Sequence, residues 1–436
     1  MASRTLQVDF LTRVEGEGAL RIELEGEEPK RIELRIFEPP RFFESLLRGR
    51  DQFEAPDITS RICGICPVAY ITSACAALEQ AHGVELRAEH VALRRLLYTG
   101  EWIESHGLHV FMLHLPDFLG LADAIELAER DPDLVKTALR IKKVGNTLMR
   151  VLGGREIHPI NTRVGGFYKA PEPLALESLL PELEWAEQAT LVALERLAAL
   201  PFPDLERDYE LVALHETDRY AIESGRIRSS SGLDIDVRDY TRHFTEIHRQ
   251  HSTALHSVLR LTPGGEPTEY LCGPLARFVL NHAQLPEDLL DAAARAGLDP
   301  DCRNPFKSIL ARGVEIAFAC REAARLIRAY RPPTQPSIPL PSVKGAVEGH
   351  GASEAPRGLL YHRYRVDSQG LIQEAQIVPP TSQNQGSIER DLWHLAPELG
   401  RLPLEEATLL AERAIRNHDP CISCATHFLK LEIQRG

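Results

Sequence analysis

The sequence predicts a mainly α fold with small β parts, an α+β chain with a long-helix bundle as its core and antiparallel hairpins at its periphery. Three observations lead there. Apolar residues recur at helical spacing over several long stretches. Shorter stretches near both ends alternate polar and apolar residues instead. Hydrophobic residues make up 43% and charged residues 26% of the 436 positions, the balance of an ordinary globular chain with a core to bury. The length suits two or three average domains or one large one. With no internal repeat or low-complexity segment, we read residues 1–427 as a single large domain. A net charge of −13 lacks the basic footprint of a nucleic-acid binder. No 18-residue apolar run stands in the chain, so no membrane span is expected. Met1-Ala2-Ser3-Arg4 leads directly into strand-like residues with no apolar signal region, so a cytoplasmic location is expected.

The elements follow in order. Residues 5–40 alternate, as in Leu20-Arg21-Ile22-Glu23-Leu24 and Arg31-Ile32-Glu33-Leu34-Arg35-Ile36, which predicts an N-terminal antiparallel hairpin. Residues 40–50 read as a helix start. Pro67 fits the first turn of a helix running to Ala81. Leu93, Leu96, Leu97, Trp102 and Ile103 form the stripe of a long helix over 89–115. Asp131–Gly153 is another, closed by Gly153-Gly154. Pro171–Leu200 reads as one long amphipathic helix. Residues 205–245 turn polar and β-like and suggest a small peripheral subdomain. Thr268–His282 and Asn304–Tyr330 return to helix, so 89–200 and 268–330 supply the helical core. Arg331–Pro341 is a proline-rich, extended connector. Strands Leu359–Arg365 and Leu371–Val378 flank the turn Asp367-Ser368-Gln369-Gly370. A last helix, Leu404–Arg416, leads to the chain's end, so that 354–427 is a C-terminal hairpin followed by a metal-binding end.

The chemistry lies at the two ends. Arg61-Ile62-Cys63-Gly64-Ile65-Cys66-Pro67 and Asp419-Pro420-Cys421-Ile422-Ser423-Cys424-Ala425-Thr426-His427 each contain Cys-x-x-Cys. That spacing aims two sulfurs at one metal, and two such pairs meeting in space give a four-thiolate site. Closing so long a loop costs entropy that grows only slowly with length. Cys63 and Cys66 precede a helix N-terminus, whose positive end favours thiolates. On spacing alone a structural zinc is a full rival to nickel, copper(I) or an iron–sulfur cluster. The remaining cysteines, Cys75, Cys272, Cys302 and Cys320, are scattered, and Cys75, Cys272 and Cys320 read as core. In a large chain without a signal region, metal ligation or free thiols outweigh disulfides. His106, His109 and His114 share one segment and read as hydrogen-bonded core histidines.

The two cysteine phrases together resemble the metal-binding signatures of the large, catalytic subunit of nickel–iron hydrogenases, most like the cytoplasmic NAD(P)-linked group. Thr12-Arg13-Val14-Glu15-Gly16, the Glu44–Asp51 segment, Gly153–Pro159 and Glu354-Ala355-Pro356-Arg357-Gly358 resemble further phrases of that family. The resemblance implies the fold of that subunit and reversible heterolytic cleavage of dihydrogen. It implies that Cys63, Cys66, Cys421 and Cys424 bind nickel, and that Cys66 and Cys424 bridge to an iron carrying carbonyl and cyanide ligands. It implies that Cys421 passes a proton to Glu15, that Glu44 and His427 hold magnesium, and that Arg357 places a permanent charge over the open face of the metals. Ser105 would stand near that open position. Tyr70 departs from the histidine that many members carry there, which puts a supporting role at that position in doubt.

The resemblance also implies partners: an iron–sulfur small subunit to carry electrons away, flavin- and NAD(P)-binding subunits beyond it, and a maturation endopeptidase that removes residues 428–436. No dinucleotide-binding fingerprint stands in this chain. Two other readings remain open at this point: a hydrogen-sensing regulatory hydrogenase, and a non-catalytic scaffold stapled by zinc on four cysteines.

Overall fold

The computed structural model describes residues 3–341 and 345–426. Four long helices form its centre: Ala88–Leu108, Pro132–Gly153, Leu180–Ala198 and Ser308–Ala329. Each packs against two others, so they close into a four-membered bundle. Local chemistry sets their ends. The Asp131 side chain accepts from the Leu134 N–H and caps the second helix, and Gly154, left-handed at φ 80°, terminates it. Where the first two helices cross, Gly100 faces Gly145, and a Cβ on Gly145 would lie 2.5 Å from the Gly100 carbonyl oxygen. The backbones therefore touch, and no larger side chain fits between them.

Two three-stranded antiparallel sheets flank the bundle. The first joins Ser3–Val8, Gly18–Glu25 and Glu28–Ile36, pairing Leu6 with Ile22 and Leu20 with Leu34 on its buried face. The second joins Val347–Ala355, Gly358–Val366 and Ile372–Val378 and packs on the Pro67–Ala81 helix. Between them in sequence, Val212–His215, Arg226–Ser229 and Asp234–Ile235 make a further small sheet. Val212, Leu214, Tyr240 and Phe244 share an apolar cluster with Leu359 and Tyr361 of the C-terminal sheet. Among the described residues no single helix is long and apolar enough to cross a membrane.

The structure differs from the sequence reading at several places, and the expected N-terminal hairpin is a three-stranded sheet. The 89–115 helix is α-helical only to Leu108; His109–His114 widen into a π turn before Leu115–Leu119. Pro116 explains the widening, because it cannot donate back to Met112 and its ring crowds that carbonyl. Pro171–Leu200 is two helices, Pro173–Glu177 and Leu180–Ala198, broken just ahead of Pro181 for the same reason. Thr268 and Leu271 are extended, bridging to Leu259 and Leu211, so that helix starts only at Pro274. The Val347–Ala355 strand and the Pro380–Arg401 helix were not foreseen.

Candidate metal centre

The N-terminal pair sits where a turn becomes a helix. Cys66 is the residue before the Pro67–Ala81 helix, and the Cys63 sulfur accepts from the Ile65 and Cys66 N–H groups at 3.3 and 3.4 Å. The next exposed-end amides, of Val68 and Ala69, donate to the Glu101 carboxyl from the bundle. Glu101 is wholly buried, and burial pushes its pKa well above the usual carboxylate range.

The C-terminal pair follows Asp419, a non-glycine residue held at φ 50°. Chain segments from far away secure it. Glu15 and Cys421 form a parallel bridge, with the Ile422 N–H donating to the Glu15 carbonyl at 2.8 Å. The Cys421 N–H donates to the Thr381 hydroxyl at 2.9 Å. Arg41 ties the two pairs together: one guanidinium nitrogen donates to the Ile62 carbonyl beside the first pair and to the Ser423 carbonyl inside the second.

The four sulfurs converge. Cys63 and Cys421, 358 positions apart in sequence, are 3.6 Å apart at Sγ; Cys66 and Cys424 are 3.7 Å apart, and Cys421 and Cys424 2.7 Å. All four are buried and lie within 4.8 Å of one another. Burial pushes the Cys421 and Cys424 thiols up, while the hydrogen bond shared with Cys421 draws Cys63 down. Four sulfurs this close repel one another as thiolates, so a cation is what lets them all ionise. The donor set fits a soft or borderline divalent metal such as nickel.

Two charged side chains border the cluster. The Cys421 thiol donates to Glu15 Oε2 at 3.0 Å, and the Ser423 N–H donates to the same oxygen at 3.1 Å. Arg357 is buried, with Nε donating to the Asp419 carbonyl at 2.7 Å and Nη2 to its carboxylate at 3.1 Å. Burial opposes its charge, but Asp419 and the thiolates of Cys421, Cys66 and Cys63 outweigh that and hold its pKa well up. Its Nη1 is buried without a protein partner.

Comparison with known proteins decides what this geometry belongs to. Residues 41–138 and 265–427 match the family model described as nickel-dependent hydrogenase. The chain belongs to that family. It is the catalytic large subunit of a nickel-dependent hydrogenase, an oxidoreductase. It is 32% identical over 435 residues to sulfhydrogenase 1 subunit alpha of Pyrococcus furiosus, covering 98% of each chain. It is 29% identical to the NAD-reducing hydrogenase HoxS subunit beta of Cupriavidus necator, covering 98% of this chain and 95% of that one. The fold superposes on an NAD+-reducing [NiFe]-hydrogenase in the H2-reduced state with a TM-score of 0.85 at 26% identity, over 98% of this chain and all of the other.

The hydrogenase subunit thus brings together Cys63, Cys66, Cys421, Cys424, Glu15 and Arg357 from four separate parts of the sequence. Glu44 lies farther back, on the short Phe43–Leu47 helix, where Oε1 accepts from the Ile377 N–H at 2.7 Å. His427 and the 428–436 tail lie outside the described residues. Ser105 is buried in the first long helix with its hydroxyl unpartnered. Tyr70 is buried one turn into the cysteine helix, and its hydroxyl pKa is pushed well up by burial and then by Cys424. A tyrosine at this position therefore still faces the sulfurs.

Sequence reasoning missed Arg41, Thr381, Glu101 and Arg277. Arg277 holds the loop that carries Arg357: its guanidinium donates to the Ala355 and Pro356 carbonyls at 2.8 and 3.1 Å and pairs with Glu315 and Glu354. The Trp102 ring lies under it at 4.6 Å. A buried arginine inside an apolar helix was the available signal, since such a charge is rare without partners.

Proposed function

We propose that this subunit catalyses reversible heterolytic cleavage of dihydrogen, H2 to two protons and two electrons. Cys63, Cys66, Cys421 and Cys424 would hold nickel, with Cys66 and Cys424 shared with an iron that carries carbonyl and cyanide ligands. That pair of metals, when bound, supplies the electrophilic site and takes up the electrons. The observation that carries the reading is the contact from Cys421 Sγ to Glu15 Oε2, 3.0 Å long, at the edge of the sulfur cluster. A thiolate beside a carboxylate forms a two-step proton exit: Cys421 receives the proton and Glu15 relays it outward. Arg357 contributes a charge that cannot titrate away at the working pH, aimed by Asp419 and backed by Arg277.

Glu44 and His427 would hold magnesium, a hard cation suited to carboxylate oxygen and few protein ligands. Cys75, Cys272, Cys302 and Cys320 are each buried, and they form no metal-binding group among the described residues. The electrons therefore leave through an iron–sulfur small subunit, and the NAD-reducing relatives favour flavin- and NAD(P)-binding subunits as their destination. A maturation endopeptidase would cut after His427.

The test is hydrogen-dependent reduction of NAD or NADP by the isolated native complex, with nickel and iron counted per chain. Turnover with about one nickel per large subunit, and more iron than the iron–sulfur clusters hold, is expected. Zinc alone with no hydrogen turnover would instead identify a scaffold.

A further inference from the structure

Away from the cysteines, the described residues contain a second group of side chains converging at metal-ligand spacing: His251, His256 and Glu389, whose ligand atoms all lie within 4.8 Å of one another. His251 comes from the connection between the paired strands Phe244–Ile247 and His256–Leu259, and His256 opens the second of them. Glu389 comes from the Pro380–Arg401 helix. His251 Nε2 is 2.8 Å from Glu389 Oε1, and the two imidazoles meet edge to face with centroids 5.6 Å apart.

The atom that makes this more than an ion pair is His256 Nε2. It belongs to a residue only 3% exposed and has no hydrogen-bond partner. A buried polar atom left unpaired costs stability, and native chains rarely keep one without a reason. Gln385 holds the segment between the two histidines, accepting from the Ser252 hydroxyl at 2.9 Å and donating to the Leu255 carbonyl at 3.0 Å. The Leu34 N–H donates to Glu389 Oε1 at 2.9 Å. Such outer contacts orient a histidine and a carboxylate for ligation.

We propose that His251, His256 and Glu389 form a second metal site, for a divalent borderline cation of the zinc type, separate from the four-cysteine centre. Two imidazoles and one carboxylate are a standard set for such an ion, with a position left for water. Metal–nitrogen distances of about 2.0–2.1 Å require the ligand atoms to draw in slightly from their present spread. The ion would join three segments: the 248–255 connection, the first sheet at Leu34, and the helix whose first turn carries Thr381 behind Cys421. It would act as a clamp on the frame of the C-terminal cysteine pair.

The test uses the untagged, nickel-loaded native complex, so that the cysteines are already engaged. Zinc chloride is added, the protein is dialysed against metal-free buffer, and zinc and nickel are counted. Wild type is expected to retain about one zinc more per chain than His256→Gln or Glu389→Gln, with nickel equal in all. Its Tm is expected to rise with zinc while theirs does not. His251→Gln, a change at a less buried position, covers the case in which His256→Gln does not fold. Equal zinc retention by wild type and His251→Gln would overturn the proposal. So would a cobalt(II)-substituted wild type whose spectrum shows sulfur rather than nitrogen and oxygen ligation.

Discussion

The two Cys-x-x-Cys pairs are spelled alike and supported differently. The first is framed locally: amides within its own turn reach the Cys63 sulfur, and a 15-residue helix starts immediately after Cys66. The second straddles a helix of only four residues, Ile422–Ala425, with Cys421 just before it and Cys424 inside it. Its frame is borrowed: Thr381 lies 40 positions away and Glu15 406 positions away. The first pair is preformed by secondary structure, whereas the second acquires its geometry only when the two ends of the chain meet. The contact proposed to carry the proton, Cys421 to Glu15, is on the borrowed side, so that step would depend on tertiary structure.

The comparison can be broken at graded cost. Replacing Cys63 or Cys421 by serine should remove nickel equally from both variants and lower hydrogen turnover more than about 100-fold, beyond what loss of an outer-shell contact does. Metal analysis and activity assay check this, and unequal nickel would mean that only one pair is essential. Glu15→Gln should keep nickel and lower turnover by about 10²–10⁴-fold, the range for losing a proton carrier, as measured by hydrogen oxidation and by hydrogen–deuterium exchange. Arg357→Lys should keep both metals and cost about 100-fold, because one nitrogen cannot both hold Asp419 and face the metals.

Acid should weaken the bundle beside the first pair. His106 is fully buried, and burial lowers its pKa to about 4 from an ordinary 6.5. Between those values the unfolded chain takes up a proton that the folded chain refuses. Stability is therefore present above about pH 6.5 and lost as pH falls toward 4. Going from pH 7 to 5 should cost about 2 kcal/mol from this residue, read by denaturant unfolding at the two pH values. The buried rings of His109 and His114 shift the same way and add to the loss. The smallest effect is expected from Arg41→Ala, about 1 kcal/mol, because Arg41 is partly exposed and adds only a long ion pair to Glu38 to its carbonyl contacts. Proteolysis should then open the C-terminal pair before the N-terminal one.

The same contrast governs what the sequence disclosed. Leu404–Arg416 and the Pro132–Gly153 helix were legible because apolar stripes and a terminal glycine announce them. The Pro380–Arg401 helix was not, because the buried face of its first two turns is polar and its apolar stripe, Ile388, Leu392, Leu395 and Leu399, begins only after them. Gln383, Asn384, Gln385 and Ser387 each hydrogen-bond backbone carbonyls of other segments, so no hydrophobic period marks them. The Val347–Ala355 strand was hidden by Gly349 and Gly351. Their missing side chains let the Pro67–Ala81 helix approach: a Cβ at Gly349 would lie 1.9 Å from the Ala77 carbonyl. In the site, the cysteines and Arg357 were legible as motif words. Arg41, Thr381 and Arg277 were not, since what they do is set by partners distant in sequence.

The most direct test of the central claim is nickel-edge X-ray absorption on the isolated complex, in wild type and in the Cys63→Ser and Cys421→Ser variants. The account predicts a sulfur shell around nickel with an iron neighbour in wild type, and loss of that environment in both variants. Nickel keeping its full sulfur shell after loss of either cysteine, or zinc standing in its place, would contradict it.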